Sequence, residues 1–309
     1  MVVEVIADGL AFPEGPVVLP DGLIACVQMA ADVVTVLGPA EETATQAPLA
    51  RRDLRCPGGP NGMVLTAGGR HAIVCLNGGL TFTADGDHLL PGIAEDPQAR
   101  GGLTLIDLDT GTLEPVIGCG PDSPVSGPND VVLSAPDSPA GEGIWFTDLG
   151  RRLDDGPEPG GVFWFGGGLG VVRAAYPRPG RPNGIALSAD GATLYVTESA
   201  SAQIWAWPIL GPGELREPLL VRQFAAPARL DGIAVTAAGN LVVATLVLGE
   251  LTTLSPTGQV LSRVAVDDPM PTNVCFGGSD HTDLFVTLGA TGRLVRLPWP
   301  EPGLSPSPR

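Results

Sequence analysis

The chain has 309 residues, 44% of them hydrophobic, with 43 glycines, 32 prolines and a formal net charge of −17 at pH 7. Its 17 basic residues are all arginine, which excludes a Schiff-base lysine and a Ser–Lys dyad. The acidic balance and the lack of an arginine-rich run argue against a nucleic-acid partner or an anionic membrane surface.

The opening residues Met1-Val2-Val3-Glu4 show neither the basic nor the long apolar region of a signal peptide. No apolar stretch is long enough to span a bilayer. The five cysteines have no metal-type Cys-x-x-Cys spacing, and Cys26, Cys75 and Cys275 sit inside strand-like runs, where cysteine is usually a buried hydrophobe. A cytoplasmic protein with reduced thiols is expected.

Along the chain one pattern recurs six times. A polar residue is followed by a small or polar one, an apolar run, a turn and a second apolar run. The copies start at Glu14-Gly15, Asn61-Gly62, Asn129-Asp130, Asn183-Gly184, Asp231-Gly232 and Thr272-Asn273. Turns such as Pro20-Asp21-Gly22 and Ala189-Asp190-Gly191 are hairpin signals. Return strands follow, among them Leu23–Val27, Ile144–Thr147 and Leu194–Thr197, and then a further pair of strand-like runs such as Val162–Phe165 with Val171–Tyr176.

The units run from 41 residues (231 to 272) to 68 (61 to 129). Four strands in units of this size mark propeller blades. The prediction is therefore an all-β, six-bladed β-propeller with four antiparallel strands per blade. It forms one domain over residues 1–300, with a loosely attached Pro-rich tail at 301–309. Val2–Ile6 is expected to complete the sixth blade. Residues 77–100 read as a loop over one face of blade 2, a candidate lid.

If the six units are structural equivalents, Glu14, Asn61, Asn129, Asn183, Asp231 and Thr272 enter the same end of the central channel. None is apolar, and two are carboxylates that need a compensating charge when buried. With the amides Asn129 and Asn183 they form an all-oxygen set suited to a hard divalent cation, calcium or magnesium. His71, His88 and His281 fall in predicted turns or loops and outside the ring. Asp148 and Glu198 end second strands on the ring's face, where each reads equally as a ligand-reaching group or as a solvated loop carboxylate. Gly166-Gly167-Gly168-Leu169-Gly170 reads as a hairpin turn, and the tryptophans of the strand-like runs as packing.

Phe12-Pro13-Glu14-Gly15-Pro16, Gly127-Pro128-Asn129-Asp130, Arg181-Pro182-Asn183-Gly184-Ile185-Ala186, Leu230-Asp231-Gly232 and Pro271-Thr272-Asn273-Val274-Cys275-Phe276 resemble motifs of the senescence marker protein (regucalcin), gluconolactonase and luciferin-regenerating enzyme family over nearly the whole chain. The resemblance implies a six-bladed propeller with one divalent ion on Glu14, Asn129, Asn183 and Asp231, most simply calcium, with magnesium, manganese or zinc as substitutes. It also implies metal-assisted opening of a lactone or related ester, with Asp231 as the base and Asn61, Asp130 and Asp148 orienting a small-molecule substrate.

Two positions depart from the family pattern. Gly127 stands where sugar-acid lactonases often carry arginine, and Cys75-Leu76-Asn77-Gly78 replaces a Cys-Glu-His-Gly motif. Both changes remove polar groups, so a less polar lactone is expected. The alternatives are a non-hydrolytic enzyme, isomerase or lyase, on the same metal-centred scaffold, or a protein-interaction propeller.

Overall fold

The computed structural model describes residues 2–38, 50–175 and 180–304, and it is a six-bladed β-propeller. Blade 1 consists of Pro13–Val18, Ile24–Gln28, Val33–Gly38 and Ala50–Arg55. Blade 2 uses Pro60–Leu65, His71–Leu76, Gly102–Asp107 and Leu113–Ile117. Blade 3 uses Pro128–Ser134, Gly143–Asp148, Gly161–Gly166 and Val171–Ala175. Blade 4 uses Pro182–Leu187, Thr193–Glu198, Gln203–Gly211 and Leu219–Gln223, with Glu214–Leu215 added on the third strand. Blade 5 runs through Arg229–Val235, Leu241–Leu246, Glu250–Leu254 and Val260–Ala265.

Blade 6 combines Pro271–Gly277, Asp283–Leu288 and Arg293–Pro298 with the N-terminal strand Glu4–Ala7 as its outermost member. Glu4 pairs with Arg296 in register and meets it in an ion pair at 2.8 Å. This strand closes the ring, as the sequence predicts. Each innermost strand packs on the next, blade 6 on blade 1 included. No helix among the described residues is long and apolar enough to cross a membrane.

Position within a blade explains each strand's composition. Second strands are covered on both faces, so Ile24–Gln28 and Leu241–Leu246 are buried throughout and read as near-continuous apolar runs. Outermost strands face solvent. Ala50–Arg55 carries three arginines and an aspartate, and charge on such an edge discourages pairing with another chain.

Two departures from the sequence reading concern connections. Residues 77–100 are not an open loop, because Leu80–Asp85 and His88–Ala94 pair as a hairpin that also places His88 in a strand. A second inserted hairpin, Arg151–Leu153 with Gly156–Glu158, interrupts blade 3. His71 opens the second strand of blade 2 rather than lying in a turn.

The start of the Pro-rich tail is attached rather than loose. Glu301 Oε2 accepts from Thr236 Oγ1 (3.0 Å) and Asn240 Nδ2 (2.8 Å), and the Leu304 N–H donates to the Val235 carbonyl (3.0 Å). These partners lie some 60 residues away in sequence, where no local signal shows them. Residues 305–309 lie outside the described residues, as does Tyr176 of the predicted Val171–Tyr176 strand.

Candidate metal centre and substrate mouth

All six innermost strands carry a register shift at or directly after the ring position, for example between Pro128 and Val131 and between Pro182 and Ile185. A β-bulge leaves a residue out of the ladder and re-aims its side chain. Five of these strands open with proline, which has no N–H to give the ladder. The ring residues Glu14, Asn61, Asn129, Asn183, Asp231 and Thr272 are all 8% exposed or less.

Buried threonines lock the bulges to the neighbouring blade. Thr197 Oγ1 accepts from the Gly184 N–H (2.8 Å) and donates to the Asp231 carbonyl of blade 5 (2.7 Å). Thr147 makes the matching bond to the Asn183 carbonyl of blade 4, and Thr272 Oγ1 donates to the Pro13 carbonyl of blade 1 (2.8 Å). The sequence signal, threonine ending the second-strand runs, is visible, but its partners lie a blade away.

The position after each ring residue is glycine in four blades, and Asp130 or Asn273 in blades 3 and 6. The glycines leave room for the two larger side chains. Asp130 Oδ1 accepts from the Val131 N–H (2.9 Å), and Oδ2 accepts from the Ile185 N–H of blade 4 (3.2 Å). Asn273 lies near enough to Asp130 to favour its ionised form, and its Nδ2 donates to Glu14 Oε2 (2.9 Å). A Cβ on Gly62 would overlap Asp130 Oδ1 and come within 2.6 Å of the Asn129 carbonyl oxygen. Gly62→Ala is therefore expected to destabilise the protein by about 1–3 kcal/mol and to weaken divalent-cation binding, as read by thermal unfolding with and without calcium.

Electrostatics distinguish this end of the channel. Burial, then the charge of Asp130, pushes the Glu14 carboxyl up to about 8. Burial also raises Asp130, to about 6. Asp231 is raised well above the ordinary carboxylate range by burial, then by Glu14 and Asp130, against a hydrogen bond from Asn183. The groups that favour ionisation here are amides and backbone N–H groups rather than cations.

Three buried carboxylates that repel one another fit a divalent cation, and the oxygen donors suit a hard one. Two carboxylates and two amides make up the expected ligand set. Accordingly, no cluster of three or more His, Cys, Asp or Glu that could hold a metal occurs among the described residues. Asn61 and Asn129 make no side-chain hydrogen bond among the described residues. Glu14 Oε1 likewise has none, and these groups remain available to a ligand.

Asp148 has a different setting. Its carboxylate accepts from the N–H groups of Ser126 (2.7 Å), Gly127 (2.9 Å) and Gly150 (2.7 Å), so it clamps the segment that leads into Asn129. Glu198 is buried and accepts from Ser201 Oγ at 2.5 Å. A cavity of about 1730 Å³ opens at the other end of the channel between apolar residues such as Val17, Leu133 and Phe276. It reaches Asp130 and Asn273, but Glu14, Asn129, Asn183 and Asp231 do not line it. Chemistry rather than cavity size marks the site.

A closed six-bladed ring with carboxylates and amides gathered at one end of its axis defines a β-propeller with a polar axial site. The model of the SMP-30/gluconolactonase/LRE-like region matches residues 12–290, and the chain belongs to that family. It is 33% identical to a 6-deoxy-6-sulfogluconolactonase of Pseudomonas putida over 125 residues, 39% of this chain and 43% of the relative. It is 29% identical to a gluconolactonase of Zymomonas mobilis over 189 residues, 55% of this chain and 49% of the relative. These matches span about half or less of each curated relative. Among solved structures, the calcium-binding protein regucalcin from Agrobacterium tumefaciens superposes with a TM-score of 0.72 at 17% identity, covering 98% of this chain and 97% of that one.

Proposed function

We propose that the protein is a metal-dependent hydrolase that opens a lactone, or a related ester, above the ring. One divalent cation, calcium by preference, is held by Glu14, Asn129, Asn183 and Asp231; magnesium, manganese or zinc are the substitutes. The observation that carries this reading is the buried trio Glu14, Asp130 and Asp231, whose mutual repulsion amides alone oppose. Family membership and the sugar-lactone substrates in the names of both curated relatives support the reaction class.

A cation bound there supplies polarisation of the lactone carbonyl and charge for the developing oxyanion. The protein's own residues do the rest. Asp231 takes the proton of the attacking water at a carboxylate oxygen, the general-base role, and the Asn183 amide holds its orientation. Asn273 anchors Glu14 through Oε2. Asn61 orients the substrate. Asp130 and Asp148, expected from sequence to touch substrate, take positioning roles instead, because backbone N–H groups occupy their oxygens. Asp130 supports the ring from beneath, and Asp148 fixes the entry to Asn129.

The test is ring opening of a panel of neutral and acidic lactones by chelator-stripped protein, with each cation added back and product mass recorded. Turnover restored by a divalent cation, with a product heavier by one water, is expected. A product of unchanged mass points to isomerase or lyase chemistry, and hydrolysis indifferent to stripping overturns the metal's role.

A further inference from the structure

Two residues before each ring position, the innermost segments carry Phe12, Gly59, Gly127, Arg181, Arg229 and Met270. These residues stand at the mouth above the ring, and they divide it. On the side of blades 1 and 6, the inserted hairpin of blade 2 forms an apolar roof. Phe82 packs on Phe12 with ring centroids 5.3 Å apart, and Leu80, Leu89 and Met270 join the same cluster. Backbone and side-chain bonds fix the roof in place. The Leu89 N–H donates to the Ala290 carbonyl of blade 6 (2.8 Å), and Arg151 Nη1 donates to the Pro97 carbonyl (2.9 Å).

The side of blades 3 to 5 is cationic. Arg181 and Arg229 lead into Asn183 and Asp231, and Arg152 stands on the inserted hairpin of blade 3. The strand that Arg181 leads into packs against the strand that Arg229 opens, and the charges of Arg152 and Arg229 both reach Arg181. Burial, then the charges of Arg152 and Arg229, lowers Arg181 to about 10, so it remains a cation at neutral pH. Asp148 is the carboxylate whose charge reaches Arg181, and three backbone N–H groups already occupy it.

None of the three guanidinium groups makes an ion pair or hydrogen bond among the described residues, whereas Arg51, Arg70, Arg100, Arg263, Arg293 and Arg296 all pair with carboxylates. Three unpaired guanidinium groups gathered against their own repulsion, in a chain of net charge −17, call for an anion.

We infer that Arg152, Arg181 and Arg229 form a subsite for an acidic group of the substrate (carboxylate, sulfonate or phosphate) remote from the lactone carbonyl. This rests on the lactonase reading and deepens it. It also revises the expectation of a less polar substrate. The polar groups lost at Gly127 and at Leu76-Asn77 belong to blades 3 and 2, and the arginines supply charge from the inserted hairpin of blade 3 and from blades 4 and 5. Guanidinium forks suit planar and tetrahedral oxyanions alike.

The test measures binding of product acids to the calcium-loaded protein by calorimetry, with gluconate as the single-charge reference. Glucarate and 6-phosphogluconate present a second carboxylate or a phosphate. Both more highly charged acids are expected to bind at least about tenfold tighter than gluconate, a charge-assisted contact's worth. That preference is expected to shrink with added salt, and to collapse in Arg181→Gln and in the double variant Arg152→Gln/Arg229→Gln. Arg152 and Arg229 are exposed, so the double variant leaves the core untouched.

Preference for glucarate or 6-phosphogluconate alone identifies the acidic group. Equal affinity for gluconate and both of these acids, or a preference that survives the substitutions, overturns the subsite. Ring opening of glucono-1,5-lactone by the same wild-type sample separates the two readings. Turnover without preference for the second acidic group removes only the arginine subsite. Arginine-dependent preference without ring opening of any lactone removes hydrolysis and keeps the subsite.

Discussion

On the proposed mechanism, Asp231→Asn is expected to lower kcat for ring opening by about a thousandfold or more, the combined loss of the assigned general base and of one of the two ring charges assigned to the cation. The substitution preserves shape and hydrogen-bonding capacity beside Asn183, so the fold is retained. It also removes a buried charge that Glu14 and Asp130 oppose. The chelator-stripped variant is therefore expected to unfold at a higher temperature than stripped wild-type protein, and to gain less from added calcium. This opposite movement of stability and activity separates a cation-binding carboxylate from a merely structural one. A variant that retains more than about a tenth of wild-type turnover at saturating calcium would remove Asp231 from the reaction. Such a result would move the base to another residue at the mouth.

The second large effect is on pH. Without a cation, the folded protein holds a proton on Glu14 up to about pH 8 and on Asp130 up to about pH 6. In the unfolded chain these groups release it near their ordinary values of 4.5 and 3.8. Between these limits the folded state binds more protons than the unfolded one, so stability falls as pH rises. Stripped protein is expected to lose on the order of a few kcal/mol from pH 4.5 to 8, seen as a falling thermal midpoint.

Asp107, lowered to about 2 by backbone N–H groups and Arg70, has the opposite dependence. It acts below this window. Millimolar calcium is expected to cancel the decline, because the cation replaces the protons as the source of compensation and binds only the folded state. Thermal unfolding across this range with chelator or calcium checks it. A midpoint that is flat or rises with pH in the stripped protein would mean that the carboxylates are compensated by something other than a cation.

Much of the architecture is legible in the chain itself. Hydrophobic alternation, hairpin turns and a polar residue at the head of each unit are local features. Repeated six times, they fix the blade number, the closure by Glu4–Ala7 and the axial set Glu14, Asn61, Asn129, Asn183, Asp231 and Thr272. Repetition makes this possible, since the equivalence of units places residues that share no local neighbourhood.

What breaks the repeat was decided only in three dimensions. Asp130 and Asn273 read as two irregular copies of a glycine position. Only the ring shows that they meet beneath it, and that Asn273 reaches Glu14 across a separation of 259 residues. Asp148 reads as a ligand-facing carboxylate, and only the fold shows that it accepts from three backbone N–H groups. The insertion at 77–100 reads as a loop because its hairpin is supported by Phe12 and Ala290 in other blades. Arg181 and Arg229 hold the same place in the repeat, two residues before Asn183 and Asp231, whereas Arg152 stands on an insertion with no counterpart in the other units. Their convergence follows from the side-by-side packing of blades 3, 4 and 5, because long-range contacts, not local propensity, set which side chains share a mouth.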